Sequence, residues 1–146
     1  MGNEQEKEER KMTIDKLTLK AQEAMQAAQQ IALQYNHQQI DAEHLLLAML
    51  NDTEGITISM LKKLGVDPGL LSSQLTEKVA KIAKVYGQVS NLYMSQRLNK
   101  ILENAFQEAT KFKDDYVSLE HVLLAITGED GEAGNLLREN GVTKDN

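Results

Sequence analysis

The chain has 146 residues, no cysteine, and 22 acidic against 16 basic residues, which gives a formal net charge of −6. These values exclude disulfides and cysteine-based zinc sites, and the scattered lysines and arginines argue against a nucleic-acid partner. No apolar run reaches the roughly 18 residues that a membrane span requires. The sequence therefore predicts a soluble, cytoplasmic domain that is long enough to bury its own core.

The chain begins with a polar, charged segment, residues 1–11, which we interpret as a disordered tail or a cloning remnant. Residues 17–35 then carry apolar side chains at three- and four-residue steps. This pattern predicts an amphipathic helix with Thr18 as its N-cap. The next predicted helix, residues 42–50 behind the N-cap Asp41, is apolar almost all round, so we expect it to lie at the centre of its unit.

A short third helix is predicted at residues 56–64, closed by Gly65, because glycine readily takes the left-handed conformation that ends helices. A fourth helix begins at Asp67 and Pro68, a capping residue followed by a first-turn proline. It is predicted to run to about residue 84. That position ends the first unit, which comprises residues 12–84. This unit therefore has four helices.

The same pattern then returns. IDAEHLLLAM at residues 40–49 reappears as VSLEHVLLAI at residues 117–126, 77 positions later, with five of the ten residues identical. Upstream, Tyr35 corresponds to Phe112 at the same spacing, and further downstream the spacing becomes 76. Similarity over so long a stretch indicates a duplicated structural unit.

Residues 85–94 contain a glycine and no helical stripe, so they are predicted to connect the two units. The second unit, residues 95–146, is predicted to repeat the order of the first. Its predicted elements are a long amphipathic helix capped by Ser95, a central helix at 119–127, and a short helix at about 132–140 that ends at Gly141.

A fourth helix of the second unit would start after Val142 and Thr143, where the printed chain ends, so we interpret the chain as a fragment cut near a module boundary. The predicted fold class is all-α: two pseudo-twofold-related four-helix repeats packed as one compact bundle, with the last helix truncated. We expect a monomer, because each apolar stripe has an internal partner.

No motif for nucleotide or covalent chemistry is present. The phosphate loop G-x-x-x-x-G-K-[ST], G-x-S-x-G and H-E-x-x-H are all absent. Glycines 128, 131 and 134 have the wrong spacing for a dinucleotide loop and acidic neighbours that repel phosphate, so a turn is the better interpretation. A calcium site there lacks the D-x-D-x-D pattern. We expect no catalytic residue and no cofactor in this chain.

The histidines and two glutamates also favour structural roles. His37, His44 and His121 could gather on a metal, but no two are i, i+4 partners on one helix, so no metal site is expected. His44 and His121 fit the first turns of equivalent helices. Glu43 and Glu120 precede them, where a carboxylate favours the positive end of the helix dipole. Paired-carboxylate catalysis is the weaker interpretation.

A resemblance to the double Clp N-terminal domain rests on five segments: LTLKAQEAMQAAQQIA, NHQQIDAEHLLLAML, LKKLGVDP, YMSQRLNKILENA and DDYVSLEHVLLAI. It covers residues 12–145. Within the family, the YVS-x-EH of the second unit resembles ClpB-type disaggregases more than ClpC or ClpA. The resemblance implies two pseudo-symmetric four-helix repeats tethered to a homohexameric AAA+ motor, whose ATP and magnesium sites lie outside this sequence.

The resemblance also implies a function. ClpB-type domains engage unfolded or aggregated client proteins, which the motor threads in cooperation with a DnaK-type chaperone system. The alternative is an N-domain that docks adaptors and substrates for a protease-associated ClpC- or ClpA-type unfoldase. A separate helical enzyme is the remaining possibility, and the absent motifs argue against it. Whether the domain is of the ClpB type or of the ClpC or ClpA type, this chain is expected to be a binding module without ATPase activity of its own.

Family positions credited with client engagement correspond here to Thr18, Asp114 and Glu120. Each also has a structural explanation, as N-cap, turn residue and first-turn acid respectively. Phe106 and Tyr116 are further candidates for client contact as exposed aromatics. However, only six aromatic residues serve the whole chain, which favours the core for each of them. The apolar groove that ClpB-like domains can offer beside the fifth and sixth helices is expected to be more polar here.

Overall fold

The structure is a computed structural model of the chain, and it describes residues 15–87, 89 and 92–143. The predicted tail, residues 1–11, lies outside the described residues. Within the described ranges no helix is long and apolar enough to cross a membrane. The helices are α1 (Leu19–Gln34), α2 (Ala42–Asn51), α3 (Ile56–Lys63), α4 (Pro68–Ala80), α5 (Gln96–Lys111), α6 (Leu119–Thr127) and α7 (Glu132–Glu139), and the strands are β1 (Gln39–Ile40) and β2 (Tyr93–Met94).

The predicted caps of the long helices are confirmed. The Thr18 hydroxyl accepts a hydrogen bond from the Ala21 N–H (3.2 Å), and the Ser95 hydroxyl accepts one from the Leu98 N–H (3.0 Å). Each hydroxyl satisfies a backbone donor that the helix itself leaves unpaired. Thr18 and Ser95 are 77 residues apart, so α1 and α5 begin in the same way.

The predicted glycine terminators are also confirmed. Gly65 follows α3 with φ +77°, and Gly141 follows α7 with φ +92°. A side chain would strain the backbone at both positions. The N–H groups of the next residues, Val66 and Val142, donate to carbonyls near the ends of these helices, those of Leu61 and Leu137, at 2.9 Å.

The prediction for the end of α4 is wrong. The helix was expected to reach residue 84, but it ends at Ala80. The N–H groups of Lys81 and Ile82 donate to carbonyls three residues back, which tightens the last turn. The chain then turns towards α1, where the Val85 N–H donates to the Asn36 carbonyl (2.8 Å). A tertiary contact therefore ends the helix rather than a local stop signal.

The core is aliphatic, and α2 lies at its centre with every residue from Ala42 to Leu50 buried. The preference for aromatic residues in the core is wrong: Phe106 is 41% exposed and Tyr116 is 57% exposed. The inner face of α1 consists largely of buried alanines, and α1 packs closely on α2. Small side chains let two helix backbones approach, which leaves little room for rings.

Short parallel pairings join the two repeats crosswise. Ile40 pairs with Met94 in the β1–β2 ladder, and Leu17 forms an isolated parallel bridge with Val117. The spacing of 77 relates Leu17 to Met94 and Ile40 to Val117, so the two pairings are pseudo-twofold mates. In both, the segment that opens one repeat pairs with the segment before the central helix of the other. The predicted connector, residues 85–94, therefore ends in a strand. Residues related by the spacing of 77, or 76 after residue 127, are termed equivalent below.

Candidate functional site

The central helices α2 and α6 begin with the same capping box, in which a histidine closes the first turn. The Asp41 N–H donates to His44 Nδ1 (2.8 Å), and the Ser118 N–H donates to His121 Nδ1 (2.9 Å). The predicted placement of both histidines in equivalent first turns is confirmed. Because Nδ1 accepts a hydrogen bond, the proton of each neutral imidazole lies on Nε2.

The two histidines then face different partners. His44 Nε2 lies 2.8 Å from His37 Nδ1, whereas His121 Nε2 lies 2.9 Å from the Asp114 carboxylate. His37 and Asp114 are equivalent positions. His37 is buried and stacks on Tyr35 with ring centroids 5.6 Å apart, while the Asp114 side chain is 52% exposed. The first pair is therefore sealed in the core, and the second reaches the surface.

Burial keeps the first pair uncharged. Burial, together with the proximity of His37, lowers the pKa of His44 to about 4, against a smaller opposing effect of Asp41. Burial also lowers the pKa of His37, outweighing the backbone of Ile82, which faces this ring and favours the charged form. The neutral pair forms a directional chain of hydrogen bonds, in which His44 donates through Nε2 to His37 Nδ1.

Ser118, His121 and Asp114 lie in a row that resembles a hydrolytic triad. The Ser118 hydroxyl is 3.1 Å from His121 Nδ1, and Nε2 faces the Asp114 carboxylate. A general base needs a lone pair directed at the hydroxyl proton. Here the Nδ1 lone pair already accepts the Ser118 backbone N–H, so the row is a helix cap and not an activated nucleophile. Among the described residues, no group of three potential ligands could hold a metal ion.

Arg97, at the head of α5, binds three carboxylates drawn from both repeats. Its guanidinium lies 3.2 Å from Asp41, 3.1 Å from Glu43 and 2.8 Å from Glu129. Glu129 also accepts the Gly131 N–H (2.8 Å), which fixes the loop before α7. Arg97 and these three acidic residues are termed the Arg97 cluster. It fastens the start of α2 to the second repeat.

Charge and burial oppose one another in the Arg97 cluster. Burial raises the pKa of Glu43, and the positive charge of Arg97 only partly offsets that rise. For Arg97, burial disfavours the charge, but hydrogen bonds to Glu129 and the negative charge of Glu43 outweigh it, so its pKa is raised above the ordinary value. Sequence analysis missed this cluster. The sequence offers one local indication of the cluster: the residue equivalent to Lys20 of the first repeat is an arginine, Arg97, in the second.

An open groove of about 560 Å³ runs along α6. It is termed the second-repeat groove. Aliphatic side chains form its floor, while the carboxylates of Asp114 and Glu120 lie at its edge, so the structure brings these two predicted site residues together. Within the described part of the chain, no ion pair neutralises Glu120. Its lining residues are Met60, Leu64, Phe112, Asp114, Glu120, His121, Leu123, Leu124, Thr127, Val142 and Thr143.

The other predicted site residues lie elsewhere. Thr18 lines a separate depression of about 510 Å³ with Lys20, Ser118 and Leu119, on the other side of the first turn of α6. Phe106 and Tyr116 are exposed but do not line either depression. Thr18 is thus not in one site with Asp114 and Glu120.

Sequence analysis also missed two apolar residues of the second-repeat groove. Phe112, which corresponds to Tyr35 at the end of the first repeat's apolar stripe, is 64% exposed, and Leu64 follows the last turn of α3 with 36% exposure. The signal for Phe112 was its position at the end of the apolar stripe, where α5 ends at Lys111. His121 is buried beneath the acidic edge.

The fold defines a class of protein: a mostly helical domain built from one duplicated unit, with the two copies paired crosswise. The sequence profile of the family described as the Clp repeat (R) N-terminal domain matches residues 16–140. The chain belongs to this family. It is 38% identical over 138 residues to the chaperone protein ClpB of Bacillus cereus, covering 92% of this chain and 16% of that protein. The chain therefore spans about a sixth of the length of this curated relative.

Solved structures show the same fold at lower identity. The N-terminal domain of the ClpV1 ATPase from E. coli superposes with a TM-score of 0.86 at 19% identity, covering 98% of this chain and 88% of that one. A ClpV N-domain in complex with a VipB peptide gives a TM-score of 0.74 at 19% identity, covering 92% of this chain and 84% of that one. Both likenesses concern the fold.

Proposed function

We propose that this chain is the N-terminal substrate-binding domain of a ClpB-type AAA+ disaggregase, which engages unfolded or aggregated proteins so that ATP-driven motor modules elsewhere in the parent protein can thread them. The second-repeat groove carries this proposal: it joins an apolar floor to an acidic edge on a domain related to ClpB chaperones. An unfolded chain exposes apolar side chains that a folded protein buries, and a groove of this character can hold them.

The acidic edge gives the groove a preference for client segments that carry basic side chains. Asp114 and Glu120 lie beside Phe112 and the leucines of the floor, so a segment that combines apolar and basic side chains is complementary to it. Each contact is weak because the groove is open to water. Several domains on one ring can bind one client together, and their combined avidity makes up for low single-site affinity.

The test is a titration of the labelled chain, followed by NMR, with a permanently unfolded protein such as reduced and carboxymethylated α-lactalbumin. We expect localised shift changes at groove residues such as Phe112, Leu124 and Val142. Phe112→Ala should weaken binding severalfold, since the ring lines the groove. The matched control is Phe106→Ala, which removes the chain's other phenylalanine from outside the groove and should leave binding unchanged.

Two results would count against the proposal. Absence of localised shifts at high client concentration would argue against client binding by this domain. Shifts confined to the depression around Thr18 would retain client binding but move the site to the other side of α6. The folded state of each variant is checked by its own NMR spectrum.

A further inference from the structure

The buried His37–His44 pair lies where three segments of the first repeat meet. His37 follows α1, His44 lies in the first turn of α2, and the residues after α4 pass over the His37 ring. Residues 81–87 are termed the α4 exit. Both histidines are buried, whereas the α4 exit is itself largely exposed. On this side, His37 is therefore separated from water by a single stretch of surface chain.

The α4 exit is held against the end of α1 by its backbone. The Val85 N–H donates to the Asn36 carbonyl (2.8 Å), and the backbone of Ile82 faces the His37 ring. Asn36 and His37 are adjacent in sequence, so both contacts reach the same turn. The position of the α4 exit therefore depends on where the His37 ring lies.

The neutral pair has no accepting nitrogen to spare. His44 Nδ1 accepts the Asp41 N–H (2.8 Å), and His37 Nδ1 accepts the proton on His44 Nε2 (2.8 Å). An imidazole nitrogen accepts a hydrogen bond only while it carries no proton. A proton added to either Nδ1 would thus break one of these bonds and set two donors against each other. The pair cannot become charged in this geometry.

The surroundings of His37 also favour its exposure once it is charged. Among the described residues, no group accepts a hydrogen bond in good geometry from the buried Nε2 of His37, and an unpaired buried donor destabilises the closed arrangement. Lys84 of the α4 exit opposes a positive charge on His37, whereas Asp41 favours one on His44. Tyr35, stacked on His37, is the other titratable group at the pair.

The two rings differ in what must move to expose them. His44 belongs to α2, where every residue from Ala42 to Leu50 is buried. His37 lies in the short link between α1 and β1. A ring in such a link reaches water when the α4 exit moves aside, but exposing His44 requires the core to open. The less costly response to a proton is therefore the movement of His37.

We propose that the His37–His44 pair is an acid-operated latch on the α4 exit. The neutral pair holds the α4 exit against the end of α1. When His37 takes up a proton from solvent, its ring turns out into water and the α4 exit is released. Because the α4 exit leads into the connector between the repeats, acid loosens that connection while α2 stays packed. This device goes beyond the proposed function and does not depend on client binding.

The experiment is hydrogen exchange of the intact chain, followed by NMR. The reporter is the Val85 N–H, which is hydrogen-bonded to Asn36 only while the latch is closed. After correction for the intrinsic effect of pH on exchange, its protection should fall about thirtyfold between pH 7.5 and pH 5. The reason is that each pH unit below about 6.5, the ordinary pKa of histidine, favours the protonated, open form about tenfold.

Low concentrations of urea distinguish release of the α4 exit from unfolding of the whole domain. Release exposes little surface, so the exchange of Val85 at pH 5 should not respond to urea. The amide of Leu46, in the central helix, should exchange faster as urea is added. If Val85 responds to urea as strongly as Leu46 does, the domain unfolds as a whole and the latch is overturned.

A pair of variants identifies the ring that takes up the proton. His37→Gln keeps an oxygen that can accept from His44 Nε2 but cannot be protonated in this range, so the fall in Val85 protection should shrink to less than about threefold. Lys81→Gln, at an exposed residue of the same segment, should keep the full fall. The NMR spectrum at pH 7.5 verifies that each variant is folded.

Two further results would overturn the latch. One is a Val85 protection in the unmutated chain that stays constant with pH, and this result needs no variant. The other is an equal fall in the unmutated chain and in His37→Gln, which would place the responsible proton elsewhere.

Discussion

The two repeats share a central helix that begins with the same Glu-His pair, but the surroundings of that pair differ. In the first repeat Glu43 is buried against Arg97, and His44 lies in the core. In the second repeat Glu120 is exposed, and His121 supports a surface carboxylate. In the first repeat these groups are closed off by their neighbours, whereas in the described part of the second repeat the carboxylates of Asp114 and Glu120 are exposed above the buried His121.

This difference arises at residues outside the shared helix, where the two repeats carry different side chains at equivalent positions. His37 in the first repeat becomes Asp114 in the second, and Lys20 in the first becomes Arg97 in the second. Each replacement alters how an unchanged neighbour is held. The duplicated scaffold is therefore maintained by the residues that the copies share, and the candidate site depends on the residues at which they have diverged.

The largest expected effect on the free energy of unfolding comes from removing the cation that pairs with the buried glutamate of the first repeat. Arg97→Ala leaves the buried carboxylate of Glu43 without its cation. Removing one partner of a fully buried pair costs roughly 3 to 5 kcal/mol, but the Arg97 side chain is 40% exposed, so we expect the free energy of unfolding to fall by about 2 to 3 kcal/mol. Urea denaturation measures this loss.

The equivalent residue provides the control. Among the residues that the structure describes, Lys20 pairs with Glu23 alone, on the surface (3.6 Å), and Lys20→Ala should cost less than about 0.5 kcal/mol. Equal losses in the two variants would show that the Arg97 cluster contributes no more than an exposed ion pair.

A second prediction uses pH. Because the folded-state pKa of His44 is lowered to about 4 from an unfolded value of 6.5, the unfolded chain binds a proton first as the pH falls. Stability is then lost progressively from about pH 6.5 downwards and levels off below pH 4. Between pH 7 and pH 5 we expect a loss of about 2 kcal/mol. The lowered pKa of His37 acts in the same direction, and the raised pKa of Glu43 acts in the opposite one.

The pH effect is measured from urea unfolding midpoints at pH 7, 6 and 5. The comparison variant is His44→Gln, which removes the ring whose pKa is lowered to about 4 and should make the stability less dependent on pH than that of the unmutated chain. A stability that stays constant over this range would contradict a neutral, buried His37–His44 pair.

The smallest effect concerns the two equivalent caps. Thr18→Ala should destabilise the domain by about 1 kcal/mol, the usual cost of losing an N-cap. Ser95→Ala should cost somewhat more, about 1.5 kcal/mol, because the Ser95 hydroxyl also donates to the Asp41 carboxylate (2.8 Å). Thermal unfolding of both variants compares them directly. A larger loss at Thr18 would reverse the view that the first helix of the second repeat is the more firmly held.

Sequence reasoning succeeded where a feature is local. Thr18 and Ser95 as caps, Gly65 and Gly141 as terminators, and the buried central helix α2 all follow from residue type and spacing within a few turns. Such features depend on backbone hydrogen bonds and helical periodicity, which act between near neighbours.

It failed where the outcome depends on distant parts of the chain. The end of α4 is decided by a contact with the end of α1, and the Arg97 cluster joins residues 32 to 56 positions apart. The exposure of Phe112 depends on which face of the helix end the neighbouring repeat leaves open. Asp114 and Glu120 were named as candidates through family resemblance, and only the structure places them together and Thr18 apart.

The crosswise bridges, Leu17 to Val117 and Ile40 to Met94, bear on how such a domain could have arisen. A polypeptide with a single copy would present one half of each bridge and could complete them only by associating with a second molecule of itself. Fusion of two copies in one gene would then turn an intermolecular symmetry into an internal one. After that event each half was free to mutate alone, a freedom that identical subunits never have.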